Sequence, residues 1–543
     1  MVFARRSTTL LAAIIASCAM VLSLTACTSD NKTVVDGQTT VTSNSAGGVA
    51  VFTPSDGITL NQQTPLNKWA KLVPDLAKAL ADAGFKKGDI DHTTSDSLAK
   101  QSRAIQDFVV DHLSNNTTDD SGIAIAPDNM TLLVAPVVEA DASTRQYGDY
   151  VSQNLSTNDA TDGEATSDGE SSEDDSSKDD SSNTESDSTA SDEQAQAVDR
   201  LVSSLKLAKE SGMHVVLLGN SIEGYKPDAF VKFSDAQTIG KLQAEKMVSK
   251  LKLDKASKDN PKYIEVLLPY TAVDEKGNAN DSTFAQEAFR GIWQVLGSYY
   301  QKGVVESPSG TLDGKSTEND WQAVAYDAAK EGSTAKVLDK RLAKTDGQST
   351  LTRIDGIITM NDYIASEVVK ELDDLGSPGS AADINPQITS SGIVGNITGK
   401  KDLSRDAVPD PIKSPENDNA NDSSSSDDDA DEDTSASDKD RDSQWPLVTG
   451  YGAYVSNIPS IVNGKQWMTG MEDRQTIATD IAQACAKLNK DEALNSMPSI
   501  RNSEVGGVKK IPTISEPLLA VSASNLKSAL IDPGYISLAD AGL

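Results

Sequence analysis

The chain has 543 residues, with 49 Lys and Arg against 82 Asp and Glu, so its formal net charge is −33. A surface this negative repels a phosphate backbone, which argues against a nucleic-acid-binding protein. The length is enough for two or more domains, each with its own apolar core.

The reactive side chains show no pattern typical of a metal site or an enzyme. Three Cys and three His are spread along the chain without HExxH, CxxC or HxH spacing, and Cys485 stands far from the other two Cys. No GxSxG or Walker A motif is present, and Asp355 and Asp362 would stand at opposite ends of one strand. We therefore expect no metal, no cofactor, no disulfide framework and no enzymatic activity.

The first residues have the order of a secretory signal. Arg5 and Arg6 precede an apolar run over residues 10–24, and Leu-Thr-Ala-Cys follows, ending at Cys27. This resembles a bacterial lipobox, in which the Cys is lipidated and becomes the mature N-terminus. The alternative is a plain transmembrane anchor, for which the run is short, because a spanning helix needs about 20 apolar residues. We expect residues 1–26 to be a signal peptide and Cys27 to hold the protein at the extracytoplasmic face of the cell membrane.

Two stretches carry most of the charge. Residues 157–194 hold 14 acids and one Lys, and residues 416–443 hold 12 acids and two bases, which together make 23 of the 33 excess negative charges. Both are low-complexity Ser/Asp/Glu sequence with too few apolar side chains to fold, and we predict that they are disordered inserts. Residues 27–56, rich in Ser, Thr, Asn and Gly, are predicted to form a flexible tether.

The rest of the chain alternates helical and strand-like patterns. Apolar residues at helical spacing begin at Leu66 and end before Gly84, and the pattern recurs over residues 98–109. Short β-branched runs predict strands at residues 132–138, 215–218, 264–268, 354–360, 392–394 and 518–521. This alternation predicts an α/β architecture with parallel sheets, whose ligands bind beyond the carboxyl ends of the strands.

Three blocks of sequence resemble a known family. They are the strand, Asn-Asp pair and helix at residues 354–365, the block at residues 448–474 that contains VTGYGA and IVNGKQWMT, and the closing segment at residues 517–535. In this order they resemble the xylose/multiple-sugar-type periplasmic binding proteins of ABC transporters. The resemblance implies a type I periplasmic-binding-protein fold, with two Rossmann-like lobes, a hinge of three crossovers and a sugar bound between the lobes.

The lobe boundaries follow from this resemblance. We expect lobe 1 to comprise residues 57–234 and 467–512, and lobe 2 to comprise residues 235–466 and 513–543, with one acidic insert in each.

The resemblance also implies which side chains contact the ligand. The residues carried over are Lys68, Trp69, Asn220, Asp281, Tyr326, Asn361, Asp362 and Tyr451. From the residues alone, Trp69 fits a helix core as well as a ligand, and Asn361 fits a helix cap as well. The chain departs from the family where Leu218-Gly219-Asn220 replaces Tyr-Asp-Arg, and where Gly452 and Glu472 replace an Asp and a Lys.

We therefore expect a lipid-anchored solute-binding protein of an ABC importer, whose partners are a sugar and an ABC permease. Because charged hydrogen-bond partners are lost from the pocket, monosaccharides are expected to bind no more tightly than about micromolar. The alternative is a non-transport surface protein that keeps the fold as a scaffold or sensor with a degenerate pocket.

Overall fold

A computed structural model describes residues 32–35, 38–41, 46–55, 65–115, 125–138, 144–151, 153–156, 185–273, 280–342, 352–377, 379–381 and 445–543. The predicted lipidation site Cys27, the predicted strand at 392–394, residues 157–184 and the acidic insert at 416–443 lie outside these residues.

The strands and helices are numbered in chain order. The strands are β1 (Lys32–Val35), β2 (Gln38–Val41), β3 (Gly48–Pro54), β4 (Ile90–Ser95), β5 (Met130–Val134), β6 (Asn154–Leu155), β7 (His214–Leu218), β8 (Ser221–Ile222), β9 (Ala229–Lys232), β10 (Lys262–Val266), β11 (Leu268–Pro269), β12 (Val305–Glu306), β13 (Ala325–Tyr326), β14 (Gly356–Ile358), β15 (Leu447–Tyr451), β16 (Met468–Met471), β17 (Ile500–Val505), β18 (Val508–Ser515) and β19 (Leu519–Ser522). The α-helices are α1 (Trp69–Asp82), α2 (Leu98–Asn115), α3 (Glu185–Glu210), α4 (Ala236–Leu251), α5 (Thr283–Gln301), α6 (Trp321–Val324), α7 (Ser333–Leu342), α8 (Asp362–Asp374), α9 (Ile458–Val462) and α10 (Arg474–Leu488).

Strands β1 and β2 pair antiparallel and belong to a unit separate from the one that begins at Ser45. The second unit, Ser45–Leu543, holds the other strands and helices of the described residues.

The first large sheet of this second unit has the order β17-β18-β9-β7-β5-β3-β4. Its strands pair in parallel except for the antiparallel hairpin of β17 and β18 at one edge. Helices α1 and α10 pack together over one face of this sheet, and α2 and α3 pack together over the other. Because both faces are covered, strands such as β5 and β7 are apolar along nearly their whole length.

The second large sheet has the order β12-β10-β14-β15-β16-β19 and is parallel except for β19. Helix α4 packs against α5, and α7 packs against α8. In each sheet, five parallel strands numbered by their order in the chain lie side by side in the order 2-1-3-4-5. This is a doubly wound α/β arrangement.

Within the residues that the structure describes, the chain passes between the two sheets three times. The crossovers are residues 233–235 between β9 and α4, residues 472–473 between β16 and α10, and residues 516–518 between β18 and β19. We call the part built on the seven-stranded sheet the first lobe and the part built on the six-stranded sheet the second lobe. Two doubly wound lobes joined by three crossovers are the architecture of the type I periplasmic-binding-protein fold, and this prediction is confirmed.

Three details of the predicted organisation are corrected by the structure. The tether was expected to extend to residue 56, but β3 is a buried strand in the middle of the first sheet, because Val49, Ala50, Val51 and Phe52 bury their side chains between the helix layers. The insert was expected to extend to residue 194, but the α3 backbone is helical from Glu185.

The third correction concerns the lobe boundary. Strand β16 pairs with β15 in the second lobe, so the chain enters the first lobe after Met471 instead of at residue 467. Similarly, β18 keeps the chain in the first lobe to Ser515 instead of residue 512.

The apolar residues that predicted the first helix form its buried face. Leu72, Leu76 and Leu80 recur on one face of α1 and are almost fully buried against the sheet. The helix ends before Gly84, whose φ of 99° lies in the left-handed region that favours glycine.

Candidate functional site

The candidate site lies where the 2-1-3-4-5 strand order changes direction in each sheet. Loops that follow the first and third strands of such a sheet diverge there and leave a crevice for a ligand. In the first lobe the loop after β5 leads into residues 144–151, and in the second lobe the loop after β14 contains Asn361. We call residues 144–151 the cleft segment, because they lie between these loops and contact both lobes.

On the side of the first lobe, the cleft segment contacts the start of α1. The Lys68 ammonium lies 2.7 Å from the Asp149 carboxylate, and the backbone N–H of Trp69 donates to the same carboxylate over 3.1 Å. Lys68 occupies the N-cap position of α1, and its own side chain does not cap the helix. Asp149 therefore supplies a negative group to a helix N-terminus, a position where anions are stabilised.

Aromatic rings add to the contact between the cleft segment and the first lobe. The Tyr150 ring stacks on Phe233 at 4.7 Å between centroids and meets Trp69 edge-on at 5.0 Å. Trp69 is 3% exposed, so its ring is both part of the core and a wall of the cleft. The structure thus supports the helix-core interpretation of Trp69, and contact with a ligand stays a prediction.

On the side of the second lobe, the contacts come from Gln146 and Tyr147. The Asn361 amide donates to Gln146 Oε1 over 3.1 Å, and the Tyr454 hydroxyl donates to the Gln146 carbonyl over 2.7 Å. The Tyr147 ring is 1% exposed and lies 4.6 Å from the Phe284 ring and 6.3 Å from the Tyr451 ring, measured between centroids.

Four of the eight predicted ligand residues therefore lie around the cleft segment, and each of them contacts or faces one of its side chains. Lys68 contacts Asp149, Trp69 contacts Tyr150, Asn361 contacts Gln146, and Tyr451 faces Tyr147. Asn361 also caps α8 by accepting from the N–H of Ile364 over 2.9 Å, as its residue type allows.

Asn220 supports the cleft without facing it. Its side chain donates to the Pro136 carbonyl and accepts from the Gln153 N–H, each over 2.9 Å. Asn220 is buried and satisfied by these two bonds, which hold the chain on either side of the cleft segment. The structure thus gives this predicted ligand residue a positioning role.

The prediction for Asp362 is wrong. Its side chain is fully buried in the second lobe and accepts from the Gln466 amide over 2.7 Å, from the Tyr454 N–H over 2.9 Å and from the Thr469 hydroxyl over 2.9 Å. Burial raises the pKa of Asp362 to about 6, although these donors favour the charged form. The Asp362 carboxylate therefore joins the start of α8 to β16 and to the loop residues Tyr454 and Gln466, and it is not exposed to a solute.

Tyr326 and Asp281 both belong to the second lobe and form hydrogen bonds to neighbours there. Tyr326 is buried in the second lobe, where its hydroxyl lies 3.1 Å from that of Thr334. The structure thus gives the Tyr326 hydroxyl a partner within the second lobe, and ligand contact by Tyr326 stays a prediction. Asp281 is exposed and accepts from the Thr283 N–H over 2.9 Å at the start of α5.

Asp281 lines a cavity of about 460 Å³ beside the cleft segment. Both lobes contribute to its wall, which includes Thr144, Val151, Asp235, Asp281, Phe284 and Glu287. The three carboxylates are already engaged, because Asp235 caps α4, Asp281 binds Thr283, and Glu287 pairs with Arg290.

Sequence reasoning missed a buried network that joins two of the crossovers. Glu472 is 1% exposed and accepts from the Ser234 N–H over 2.6 Å and also from the Ser234 hydroxyl, whose oxygen lies 2.5 Å from the Tyr451 hydroxyl. Burial raises the pKa of Glu472 to about 7. The only signal in the sequence was an acid where the family has a Lys, and nothing there showed that Ser234 would face it.

This network predicts a pH-dependent stability. A carboxyl group whose folded pKa is raised stabilises the fold fully below its unfolded pKa, and this stability is lost as pH rises through the folded value. For Glu472 the loss falls between pH 4.5 and about 7 and amounts to about 3 kcal/mol at ~1.4 kcal/mol per unit.

We expect the free energy of unfolding to fall between pH 5 and 7 and Glu472→Gln to flatten this slope. Urea titrations across this range test the prediction, with Glu492→Gln as the exposed control that leaves the slope unchanged. An equally steep slope in Glu472→Gln would contradict it.

Within the described ranges, no group of three His, Cys, Asp or Glu side chains is placed to hold a metal ion. In the same part of the chain, no helix combines the length and apolar character needed to cross a membrane.

No protein-family model and no curated protein matches the chain. Solved structures similar to it include an ABC transporter solute binding protein from Clostridium phytofermentans with bound β-D-glucose, at 17% identity and a TM-score of 0.44, covering 91% of this chain and 99% of that one. Another is a carbohydrate transporter solute binding protein from Chloroflexus aurantiacus in complex with D-glucose, at 18% identity and a TM-score of 0.42, covering 92% and 98%. A third is a periplasmic ribose ABC transporter protein from Conexibacter woesei, at 14% identity and a TM-score of 0.42, covering 90% and 96%. At these TM-scores the likenesses identify neither a ligand nor an activity of this chain.

Proposed function

We propose that the protein is an extracytoplasmic solute-binding protein of an ABC importer, lipid-anchored through Cys27, with a carbohydrate as its solute. The observation that carries this proposal is the convergence of Lys68, Trp69, Asn361 and Tyr451, from both lobes, on one cleft at the carboxyl ends of the strands. The three sequence blocks that resemble sugar-binding proteins support the same class, and an ABC permease is the partner that this class implies.

The cavity beside the cleft segment is the open space in which we place the solute. Its volume of about 460 Å³ lies within the usual 300–1,000 Å³ of small-molecule sites. Carboxylates and amides at its wall suit sugar hydroxyls, and the Phe284 ring suits the C–H face of a sugar.

A second candidate function is favoured by the cleft segment itself. Its side chains already contact four of the residues that the family resemblance assigns to the ligand. A chain that fills its own pocket suits a non-transport surface protein that uses the fold as a scaffold or sensor.

Calorimetry with D-xylose, D-glucose, D-galactose and L-arabinose tests the first proposal. We expect at least one of them to bind with a Kd no tighter than about micromolar. Asp281→Ala should weaken that binding about ten- to hundredfold, because it removes a charged hydrogen-bond acceptor from the cavity.

Asp313→Ala is the matched control. Asp313 is also an exposed, turn-capping carboxylate, which accepts from the Lys315 and Ser316 N–H groups away from the cavity, so its loss should leave the affinity unchanged. Absence of any heat or thermal shift with all four sugars would reject the carbohydrate proposal and favour the scaffold.

A further inference from the structure

We propose that the cleft segment acts as an intrachain ligand, which holds the two lobes closed when no solute is bound. In a binding protein of two lobes, the closed state is stabilised when one bound molecule contacts both lobes at once. In this protein, contacts of that kind come from residues 144–151.

The segment has the chemistry of a ligand on its first-lobe side. It presents a carboxylate, that of Asp149, to the ammonium of Lys68 and to a helix N–H. It also presents the Tyr150 ring to two aromatic side chains, and the Tyr150 hydroxyl donates to the Lys68 carbonyl over 2.5 Å.

On its second-lobe side the segment presents an amide and a second ring. Gln146 accepts from Asn361 through its side chain and from Tyr454 through its carbonyl. Tyr147 is buried among side chains of the second lobe, although the strand that precedes it in the chain, β5, belongs to the first lobe. Two residues that contact the second lobe and two that contact the first thus span the cleft within one short stretch of chain.

Gly148 lies between the two halves and allows this path. Its φ is 101°, and a Cβ at this position would lie 2.5 Å from the carbonyl oxygen of Asn67. The N–H of the next residue, Asp149, donates to that same carbonyl over 2.8 Å. Any other residue at 148 would meet both backbone strain and a backbone clash, so the seated segment requires glycine.

Gly148→Ala is therefore a variant that unseats the segment without removing a side chain from either lobe. Gly224→Ala is its matched control, because Gly224 also has a positive φ, 69°, but a Cβ at that position would have no other atom within 4 Å. The double variant Gln146→Ala/Tyr147→Ala removes the second-lobe contacts directly and tests the same point by another route.

The distance between the lobes is the measurement. Spin labels on Lys78→Cys in α1 and Lys330→Cys before α7 report it, since these side chains are 78% and 82% exposed. The full chain is used, with Cys18→Ser and Cys27→Ser, and Cys485 is fully buried and stays unlabelled.

Without any sugar, we expect a single narrow distance distribution for the parent chain and for Gly224→Ala, and a longer, broader one for Gly148→Ala and for the double variant. A parent-like distribution in both cleft variants would overturn the proposal, as would a broad distribution in the parent chain. The measurement needs no solute, so its failure is distinct from that of the carbohydrate proposal, which calorimetry decides.

Discussion

Asp362→Ala is expected to lower the free energy of unfolding by at least about 3 kcal/mol. Its main effect is thus expected on the stability of the second lobe and not on solute affinity. The substitution leaves the Tyr454 N–H, the Gln466 amide and the Thr469 hydroxyl without their shared acceptor, and a buried donor without a partner costs about 1–3 kcal/mol. Urea unfolding followed by circular dichroism measures the change.

Asp373→Ala is the control on the same helix. Its carboxylate is half exposed and pairs with Lys465, so its loss should cost less than about 1 kcal/mol. A fully stable Asp362→Ala protein with weakened solute binding would mean that the carboxylate reaches the cleft after all. The same network predicts intolerance at Gly450, where a Cβ would lie 2.2 Å from Asp362 Oδ1.

Trp69→Ala is expected to cost about 3–5 kcal/mol, the usual range for removing a large buried aromatic side chain. The ring packs edge-on against Tyr150 and Phe233, and its loss opens a void at the first-lobe wall of the cleft. Thermal or urea unfolding of the variant gives the value.

Trp69→Phe keeps an aromatic ring against the same two neighbours and should cost clearly less than the alanine variant. If Trp69→Ala were as stable as the parent protein, the ring would have to be solvent-exposed in solution, which would also mean that Tyr150 is not seated against it.

The sequence predicted the class of fold because doubly wound sheets leave a strong local signal. The short apolar runs that became β5, β7 and β14 are buried on both faces, and such strands are apolar at nearly every position. It missed β3, because the Ser-, Asn- and Gly-rich residues before that strand resemble a linker and only Val49 to Phe52 are apolar.

The candidate site was predicted less completely than the fold. Asn361 was placed correctly after a strand and at the cap of a helix, and Trp69 on the buried face of a helix, since these positions follow from the strand and helix pattern. Tyr326 was assigned to the ligand because of the family resemblance, and Asp362 because of the resemblance and its position after a buried strand. Their burial depends on packing against residues such as Thr334 and Gln466, which no local pattern identifies.

The sequence by itself determined the alternation of strands and helices, the acidic composition of the inserts and the residues near each strand end, because these depend on neighbours along the chain. Only the tertiary structure decided that Gln146, Tyr147, Asp149 and Tyr150 lie in the cleft, and that Glu472 faces Ser234 across 238 positions. Contacts of this kind depend on how the lobes and crossovers pack in space, and no periodicity in the sequence records them.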